Sequence, residues 1–474
     1  MRFDYFDDAE LERMHEASVD ILQRIGIATS SDRLKGLLLD NGCKEKGERI
    51  LFTEEIIDKA LKTVPENFNI YGRNGCDLVI EMGKQKAYAQ TCVGTPSIID
   101  LKTEEKRDAC LEDLEDFARL ADALGNTHLI SPVFPRDVPQ EIIVTSETAA
   151  TIRNSSKPQR ICAESSHELP YIIEVLAAVA GGMEALREKP LAYIEVSTIS
   201  PLNSGFHPAE ALLDIVEAGL PLGIVPCPMM GATGPVTLAG CVAQHNAEIL
   251  SSVVASQLLK PGAPVIMSPR VTFMDMKSGL GLWAMPEQGL AAAASAQLAR
   301  YYKIPSTVTG YSGASKVADM QSGYEHLYNA LLPALIGTDI VAATGSLDNC
   351  LISCYAMLVM DDEISSVIRH TLKGSEVSED TLAIDVIEEI VENNEAFLGH
   401  KHTRKHLRAG ALWTPPIGDR ATYDNWAINK MKVEDKARQK AKELLASHQV
   451  VPISPEADAE IDEILKKALK ESTE

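Results

Sequence analysis

Short apolar runs alternate with longer amphipathic segments through the middle of the chain. The runs are rich in β-branched residues, as buried strands are. We predict strands over 87–93, 129–134, 160–164, 192–197, 222–226, 265–268, 306–311 and 340–344. Apolar residues at helical spacing fill the intervals, and we predict helices over 111–124, 169–180, 208–217, 242–259 and 287–302.

Strands that alternate with helices predict an α/β fold with a parallel sheet. Eight such units are typical of a (β/α)8 TIM barrel, so we predict this barrel with mostly helical additions at both ends. An open doubly wound sheet is the alternative. No Gly-x-Gly-x-x-Gly motif follows any predicted strand, which disfavours that sheet.

The two ends of the chain have a different pattern. Helix-start signals at Ser31 and Thr53, and two alternating runs at 67–71 and 77–81, predict a unit of helices and one hairpin over residues 1–85. We predict the barrel over 86–370. Predicted strands stop there, and acidic, basic and amphipathic segments follow one another in a C-terminal helical extension over 371–474.

Composition excludes several classes of function. The 474 residues carry a formal net charge of -23, which argues against nucleic acid or an anionic membrane as a partner. Neither an apolar stretch of about 20 residues nor a signal peptide is visible. The nine cysteines are scattered without a Cys-x-x-Cys motif. We therefore expect a reduced, cytoplasmic protein.

A loop rich in small and polar residues follows the predicted strand at 306–311. It carries Tyr311, Lys316, Asp319 and Gln321, with Tyr324 close behind. Active sites of barrels lie at the carboxyl ends of the strands, so this loop is a candidate part of the site. The alternative is that Lys316 and Asp319 form an exposed ion pair of little energetic value.

The other predicted strand ends offer further candidates. They include Gln90, Phe134, Glu164, Glu195 and Arg270. Two carboxylates deep in a barrel could transfer protons or balance a cation. The alternative is that Glu164 or Glu195 pairs with a buried arginine such as Arg160 or Arg270.

Signals for a metal or a nucleophile are weak. Apart from one cluster, the histidines lack partners at ligand spacing. That cluster, His400, His402 and His406, lies among Lys and Arg, which disfavours a divalent ion, and we expect no metal site. Gly310-Tyr-Ser-Gly-Ala departs from Gly-x-Ser-x-Gly, so we do not expect a hydrolase.

Several segments together resemble one known family. They are Gln23-Arg-Ile-Gly-Ile, Val93-Gly-Thr-Pro, Pro226-Cys-Pro-Met-Met-Gly-Ala-Thr-Gly-Pro-Val-Thr, the stretch 310–325 and Asp361-Asp-Glu-Ile-Ser. Over nearly its whole length, the chain resembles the non-pyrrolysine branch of the trimethylamine methyltransferase superfamily, to which betaine:corrinoid methyltransferases belong.

The resemblance implies a barrel that moves a methyl group from an amine to the cobalt of a separate corrinoid protein. No tightly bound cofactor is then expected, since the cobalamin comes with the partner. The chain lacks pyrrolysine, which favours a quaternary amine: glycine betaine, proline betaine, carnitine or γ-butyrobetaine. We also expect a homo-oligomer.

Such a ligand gives roles to the candidate residues. Phe134, Trp283, Tyr311, Tyr324 and Tyr355 would supply a cation-π surface. Glu164 or Glu195 would add a counter-charge. Arg270, Lys316 or Gln90 would hold a substrate carboxylate, and Gln321 would add a polar contact. The sequence identifies no catalytic acid.

Two other functions remain as alternatives. One is a catalytically inactive barrel that binds a betaine or a corrinoid protein. The other is a barrel lyase or aldolase, which needs a Schiff-base lysine within a strand. Lys316 lies on a predicted loop, which disfavours the lyase.

Overall fold

The computed structural model describes residues 3–73, 76–92, 94–163 and 165–473. Its first three helices begin after Asp7, Ser31 and Thr53, whose side chains accept hydrogen bonds from backbone N–H groups in the first turn. The elements of this N-terminal part are α1 (Asp8–Arg24), β1 (Ile27–Ala28), α2 (Asp32–Asp40), β2 (Lys44–Lys46), β3 (Arg49–Leu51), α3 (Glu54–Leu61), β4 (Phe68–Tyr71) and β5 (Val79–Met82).

Strands followed by helices occupy the middle of the chain, as the sequence predicts. The elements from β6 to α7 are β6 (Tyr88–Thr91), β7 (Ser97–Ile99), β8 (Lys106–Asp108), α4 (Leu111–Ala123), α5 (Ile143–Asn154), β9 (Gln159–Cys162), α6 (Leu169–Ala180) and α7 (Met183–Glu188). Those from β10 to α9 are β10 (Ala192–Ser197), α8 (His207–Ala218), β11 (Leu222–Val225), β12 (Met229–Met230) and α9 (Leu238–Leu259). Those from β13 to α12 are β13 (Val265–Met267), β14 (Thr272–Met274), β15 (Gly281–Leu282), α10 (Glu287–Tyr302), β16 (Thr307–Thr309), α11 (Met320–Ile336), β17 (Ile340–Thr344), β18 (Ser346–Leu347), β19 (Ile352–Cys354) and α12 (Tyr355–Lys373).

The central strands pair in parallel and confirm the α/β fold. One sheet has the order β13-β11-β10-β9 and another the order β16-β17-β6. The predicted strand at 129–134 is present only as isolated parallel bridges, which join Leu129 to Gln90 and Ile130 to Gln159. A further parallel bridge joins Met267, at the end of β13, to Ser306, just before β16.

Side chains alternate between the two faces of these strands. On β10, Ile194 and Val196 face the surrounding helices, where they join the largest apolar cluster. Tyr193 faces the opposite, inner side and packs against Ile266 and Ile340. The next inward-facing residue is Glu195, a carboxylate within the core.

The predicted hairpin closes one end of this inner space. β4 and β5 pair antiparallel, and Ile70, Ile80 and Met82 pack with Tyr88 and Tyr193. Tyr88 begins β6, so the hairpin lies at the amino ends of the central strands. The inner space is therefore filled by apolar side chains at this end.

Short strands build up the carboxyl ends. β7 and β8 follow β6, β12 follows β11, β14 and β15 follow β13, and β18 and β19 follow β17. They form two small sheets of order β12-β14-β15 and β18-β19-β7-β8. These additions form a raised rim around the strand ends.

Helices make up the rest of the chain. They are α13 (Glu379–Leu382), α14 (Ile384–Glu392), α15 (Lys401–Arg408), α16 (Tyr423–Asn429), α17 (Val433–Ser447) and α18 (Pro455–Thr473). Ala437 and Ala441 of α17, and Ile461 and Ile464 of α18, are buried against the central part. No helix within the described residues is long and apolar enough to cross a membrane. The domain division at 85 and 370 stays a prediction.

Candidate functional site

A cavity of about 370 Å³ lies at the carboxyl ends of the central strands. Its wall takes side chains from several strands, because inward-facing positions of neighbouring parallel strands meet at the same level. Among them are Gln90, Arg160, Ser197, Val225, Thr309 and Ala342.

Two arginines and one glutamate form the floor. Arg160 of β9 donates to Oε2 of Glu195 through Nε, at 2.6 Å, and also through Nη2. Arg270, which follows β13, donates through Nη2 to Oε1 of Glu195 at 3.3 Å and through Nη1 to the Thr307 carbonyl at 2.9 Å. Glu195 thus joins two guanidinium groups, and Arg160 and Arg270 both reach the cavity. The sequence-based alternative, that Glu195 pairs with these arginines, is confirmed.

Gly223 makes room for this arrangement. It lies opposite Glu195 on the neighbouring strand β11. A Cβ atom at Gly223 would lie 2.4 Å from Glu195 Cγ, closer than real contacts allow. The absence of a side chain on β11 therefore lets Glu195 occupy the inner space.

The floor has an excess of positive charge, because it contains two arginines and only one glutamate. Burial alone would raise the pKa of the Glu195 carboxyl, but Arg160 and Arg270 outweigh it and lower that pKa. Burial would lower the pKa of Arg160, but Glu195 outweighs it and raises that pKa. One carboxylate thus faces two guanidinium groups, and the buried Nη1 of Arg160 has no hydrogen-bond partner among the described residues. Two guanidinium groups that line a cavity and share one carboxylate suit an anionic ligand.

The rim turns sharply beside the cavity. Asp348, Asn349 and Cys350 follow one another with φ of 47°, 57° and 63°, a left-handed conformation that non-glycine residues rarely adopt. Asn349 Oδ1 accepts a hydrogen bond from the backbone N–H of Trp283 at 3.0 Å. Trp283, Asn349 and Cys350 all line the cavity. This hydrogen bond joins the turn between β18 and β19 to the loop after β15.

A family model described as trimethylamine methyltransferase matches residues 1–472. The chain belongs to this family. The resemblance that the sequence motifs indicate is thereby confirmed. The chain is 32% identical over 473 residues to the glycine betaine methyltransferase of Desulfitobacterium hafniense strain Y51, covering 99% of this chain and 98% of that protein. It is also 32% identical to a trimethylamine methyltransferase of Methanosarcina barkeri strain Fusaro over 476 residues, covering 98% and 95%.

A solved structure shows a related fold. The chain matches the crystal structure of the Methanosarcina barkeri monomethylamine methyltransferase with a TM-score of 0.56 at 14% identity. The match covers 99% of this chain and 88% of the other. At this identity, the likeness shows the fold alone.

The structure brings only part of the sequence-predicted site together. Gln90 and Arg270 line the cavity, with Glu195 at the floor between Arg160 and Arg270. Gln90 also accepts a hydrogen bond from the Tyr193 hydroxyl at 2.6 Å. Glu164 lies outside the described residues.

Tyr311 does not lie where the strand pattern predicts. Its ring is fully buried on the helix side of the strands, against Ala330 and Val341, and does not line the cavity. The N–H groups of Gly310 and Tyr311 both donate to the Ala342 carbonyl, so the alternation shifts at this point and the ring turns outward. Gly310 makes room for Val341 and not for a ligand, because a Cβ there would lie 2.3 Å from Val341 Cγ1.

Tyr355 is likewise a core residue. Its ring packs against Phe117 at 5.7 Å between centroids, and its hydroxyl lies 3.4 Å from Asp113 Oδ1. Its position at the start of α12 directs it between the helices. A cation-π role in the cavity does not fit this placement.

Four further candidates lie outside the cavity wall. Lys316 is exposed and pairs with Asp348 at 3.4 Å, so the alternative of an exposed pair with Asp319 is wrong in its partner. Asp319 instead caps α11. Gln321 donates to Glu325, Tyr324 is exposed, and the half-buried Phe134 donates its backbone N–H to Thr95. These residues follow strand ends in the sequence, but they do not line the cavity.

One group of potential metal ligands exists among the described residues, remote in sequence from the cavity. Donor atoms of Asp380, His402 and His406 lie within 4.8 Å of one another. Lys405 Nζ donates to both carboxylate oxygens of Asp380, at 2.7 and 2.6 Å. Both oxygens of the Asp380 carboxylate therefore already have a cation as their partner.

Sequence reasoning missed several wall residues. Arg160 was considered only as a partner for a carboxylate, although an inward-facing arginine on a strand is itself a signal. Cys92, Cys162, Cys227 and Cys350 also line the cavity. Their spacing along the chain gives no hint of this, because four different strand ends bring them together.

Proposed function

We propose that this protein transfers a methyl group from a carboxylate-bearing quaternary amine to the Co(I) of a separate corrinoid protein. Membership of the trimethylamine methyltransferase family supports methyl transfer from an amine. The relatives act, by their names, on glycine betaine or on trimethylamine. The cavity favours the first of these two substrates.

The observation that carries the proposal is the excess positive charge of the floor. Arg160, Arg270 and Glu195 are buried with a net charge of +1 and a free guanidinium nitrogen. A buried uncompensated charge is costly, and a substrate carboxylate relieves that cost. Trimethylamine has no anionic group and would leave the second guanidinium without a counter-charge. Glycine betaine and proline betaine, or the longer carnitine and γ-butyrobetaine, each provide the carboxylate.

This contact orients the substrate. With the carboxylate against Arg160 at the floor, the quaternary ammonium group points toward the mouth beside Trp283, whose aromatic face suits a cation. The methyl group to be moved then faces the opening. The corrinoid is a second substrate carried by the partner, and its Co(I) supplies the electron pair for the new cobalt–carbon bond.

The chain's own residues supply position and desolvation. Breaking the C–N bond leaves its electron pair on nitrogen, so a neutral tertiary amine departs and no proton donor is needed. Binding the carboxylate at a fixed place holds the methyl group in position for attack. Enclosing the ammonium group excludes water from it. We therefore assign no catalytic acid.

The barrel is part of the same proposal. The two central sheets and the bridges at Leu129, Ile130 and Met267 link all eight predicted strand segments in one cycle. We infer a closed (β/α)8 barrel from this cycle. In a closed barrel the cavity has one opening, at the carboxyl ends.

The rim provides a surface for the corrinoid protein. It exposes Met276 and Leu280 between β14 and β15, Val317 and Met320 between β16 and the start of α11, and Leu351 before β19. Flexible, adaptable methionine side chains are typical of surfaces that bind and release partners. The partner would thus dock where the methyl group is presented, and we expect the protein to work in the cytoplasm.

The test is methylation of cob(I)alamin, followed by its absorbance, with each amine in turn. We expect turnover with at least one betaine and none with trimethylamine or with choline, which lacks the carboxylate. Faster turnover with trimethylamine than with every betaine would refute the substrate assignment. Binding of a betaine without turnover, even with the corrinoid protein present, would indicate the inactive binding barrel.

A further inference from the structure

A segment between α12 and α16 exposes an unusual amount of apolar surface. We call residues 376–412, with α13, α14 and α15, the arm. Ile390 is its one buried large apolar residue among those described. Leu398 is 85% exposed and Val391 71%. The exposed apolar residues of the arm are Val377, Leu382, Ile384, Ile387, Val391, Phe397, Leu398, Leu407 and Leu412.

The polar contacts of the arm stay within it. Lys405 and His406 pair with Asp380, and His400 pairs with Glu389. No hydrogen bond or ion pair found among the described residues joins 376–412 to the rest of the chain except through the connecting backbone. Ties to the central part resume at Trp413, whose Nε1 donates to Ser366 Oγ at 3.0 Å. The arm is thus internally ordered but not docked.

The area of the chain is too large for a compact monomer. Its accessible surface is 21175 Å². A compact monomer of 51.5 kDa has about 17,000 Å², so roughly 4,000 Å² is in excess. Stable homodimers bury about 2,000 to 5,000 Å² in total. The excess is therefore of the size that a permanent interface covers.

The arm leaves the molecule at the end opposite the cavity. α12 begins at the rim with Tyr355 and runs back to the amino ends of the strands, where Ile368 packs with Ala87 just before β6. The arm follows Gly374 at that end. A partner seated on the arm therefore leaves the mouth of the cavity free.

We propose that the arm packs against a second copy of this chain. Interfaces that form and dissolve expose mixed polar surfaces, because a large apolar face is not tolerated while the partner is absent. An arm that is apolar in the free chain therefore needs a partner that is always present, and another copy is one. The inference concerns assembly and holds whether or not the proposed substrate is correct.

The experiment compares the mass of the full chain in solution with that of a variant. Light scattering of the wild type should give at least twice 51.5 kDa. The double variant Val391→Asp/Leu398→Asp should give a smaller assembly or the monomer, with an unchanged circular dichroism spectrum because both side chains are exposed in the single chain. Val451→Asp, at a position 45% exposed outside the arm, is the matched control and should keep the wild-type mass.

Two further measurements test the proposal independently of the aspartate variant. If the aspartate variant misfolds, Val391→Ser/Leu398→Ser and concentration-dependent hydrogen exchange of α14 in the wild type replace it. Added salt should preserve the assembly, since it screens repulsion between chains of net charge -23. A monomeric wild type, or an oligomer that both arm variants leave intact, would overturn the proposal. So would an arm that binds only the corrinoid protein.

Discussion

Arg160 binds Glu195 through two of its three guanidinium nitrogens, and the third is buried without a hydrogen-bond partner among the described residues. Arg160 therefore keeps one donor group that the ion pair with Glu195 does not use. Arg270 approaches the other oxygen of Glu195, so one carboxylate serves two cations. The remaining positive charge is what the cavity offers to a ligand.

Replacing Arg160 should reduce the use of a betaine. Arg160→Gln removes the free donor and the excess charge while Glu195 keeps Arg270. A hydrogen bond between charged groups is worth about 1.5 to 3 kcal/mol, so KM should rise roughly ten- to hundredfold. Steady-state kinetics with cob(I)alamin would measure this change.

Two controls separate binding from general damage. Lys316→Gln removes an exposed cation outside the cavity wall and should leave KM unchanged. Choline binding, weak in the wild type, should not weaken further in Arg160→Gln because choline has no carboxylate. An equal loss of affinity for choline and for the betaine would show that Arg160 only supports the fold.

Glu195→Gln should destabilise the protein and change its response to acid. Removing one partner of a buried ion pair costs about 3 to 5 kcal/mol, because here two guanidinium groups lose their counter-charge. The pKa of Glu195 is lowered from its ordinary 4.5, so its contribution is full above pH 4.5 and is lost as pH falls through the folded pKa. Urea unfolding between neutral and acidic pH should show this acid loss in the wild type and less of it in the variant.

Glu217→Gln is the comparison for that experiment. Glu217 forms an exposed ion pair with Arg33 at 3.2 Å, and such pairs contribute about 0 to 1 kcal/mol. Equal unfolding midpoints for the two variants would contradict the role given to Glu195.

The sequence predicts the order of strands and helices well, because apolar runs and caps are local signals. Glu195 could be placed in the core because it lies within one of these apolar runs, 192–197. The outcome at Tyr311 could not be predicted, since it depends on two N–H groups that share the Ala342 carbonyl of a strand 30 residues further on. The free nitrogen of Arg160 also depends on the positions of β9, β10 and β13 in three dimensions.

Tyr311 should matter for stability and not for substrate. Tyr311→Ala would leave a cavity in a fully buried cluster, and large-to-small changes of an aromatic ring cost about 3 to 5 kcal/mol. Tyr311→Phe keeps the ring and should keep the kinetic constants. Thermal unfolding and betaine kinetics of both variants test this, and a clear rise of KM in folded Tyr311→Phe would return the residue to the site.

Removing metal should not impair the enzyme. Asp380, His402 and His406, the one cluster of potential ligands among the described residues, have Lys405 on their carboxylate. Enzyme treated with a chelator, then freed of it, should methylate cob(I)alamin at the original rate, and His402→Ala/His406→Ala should behave alike. Stoichiometric zinc in elemental analysis, with activity that depends on it, would contradict this expectation.

Trp283 should recognise the charge of the ammonium group. It lines the cavity near the mouth and is fixed through its backbone to Asn349. A desolvated cation-π contact is worth about 2 kcal/mol, so Trp283→Leu should weaken betaine binding about thirtyfold, while Trp283→Phe should lose less. The decisive ligand is 3,3-dimethylbutanoate, which has the shape and carboxylate of glycine betaine but a neutral carbon in place of nitrogen. The wild type should bind the betaine far more tightly than this analogue, and Trp283→Leu should bind the two alike. If the preference for the charged ligand survives in Trp283→Leu, the ring contributes only shape, and another group must balance the cation.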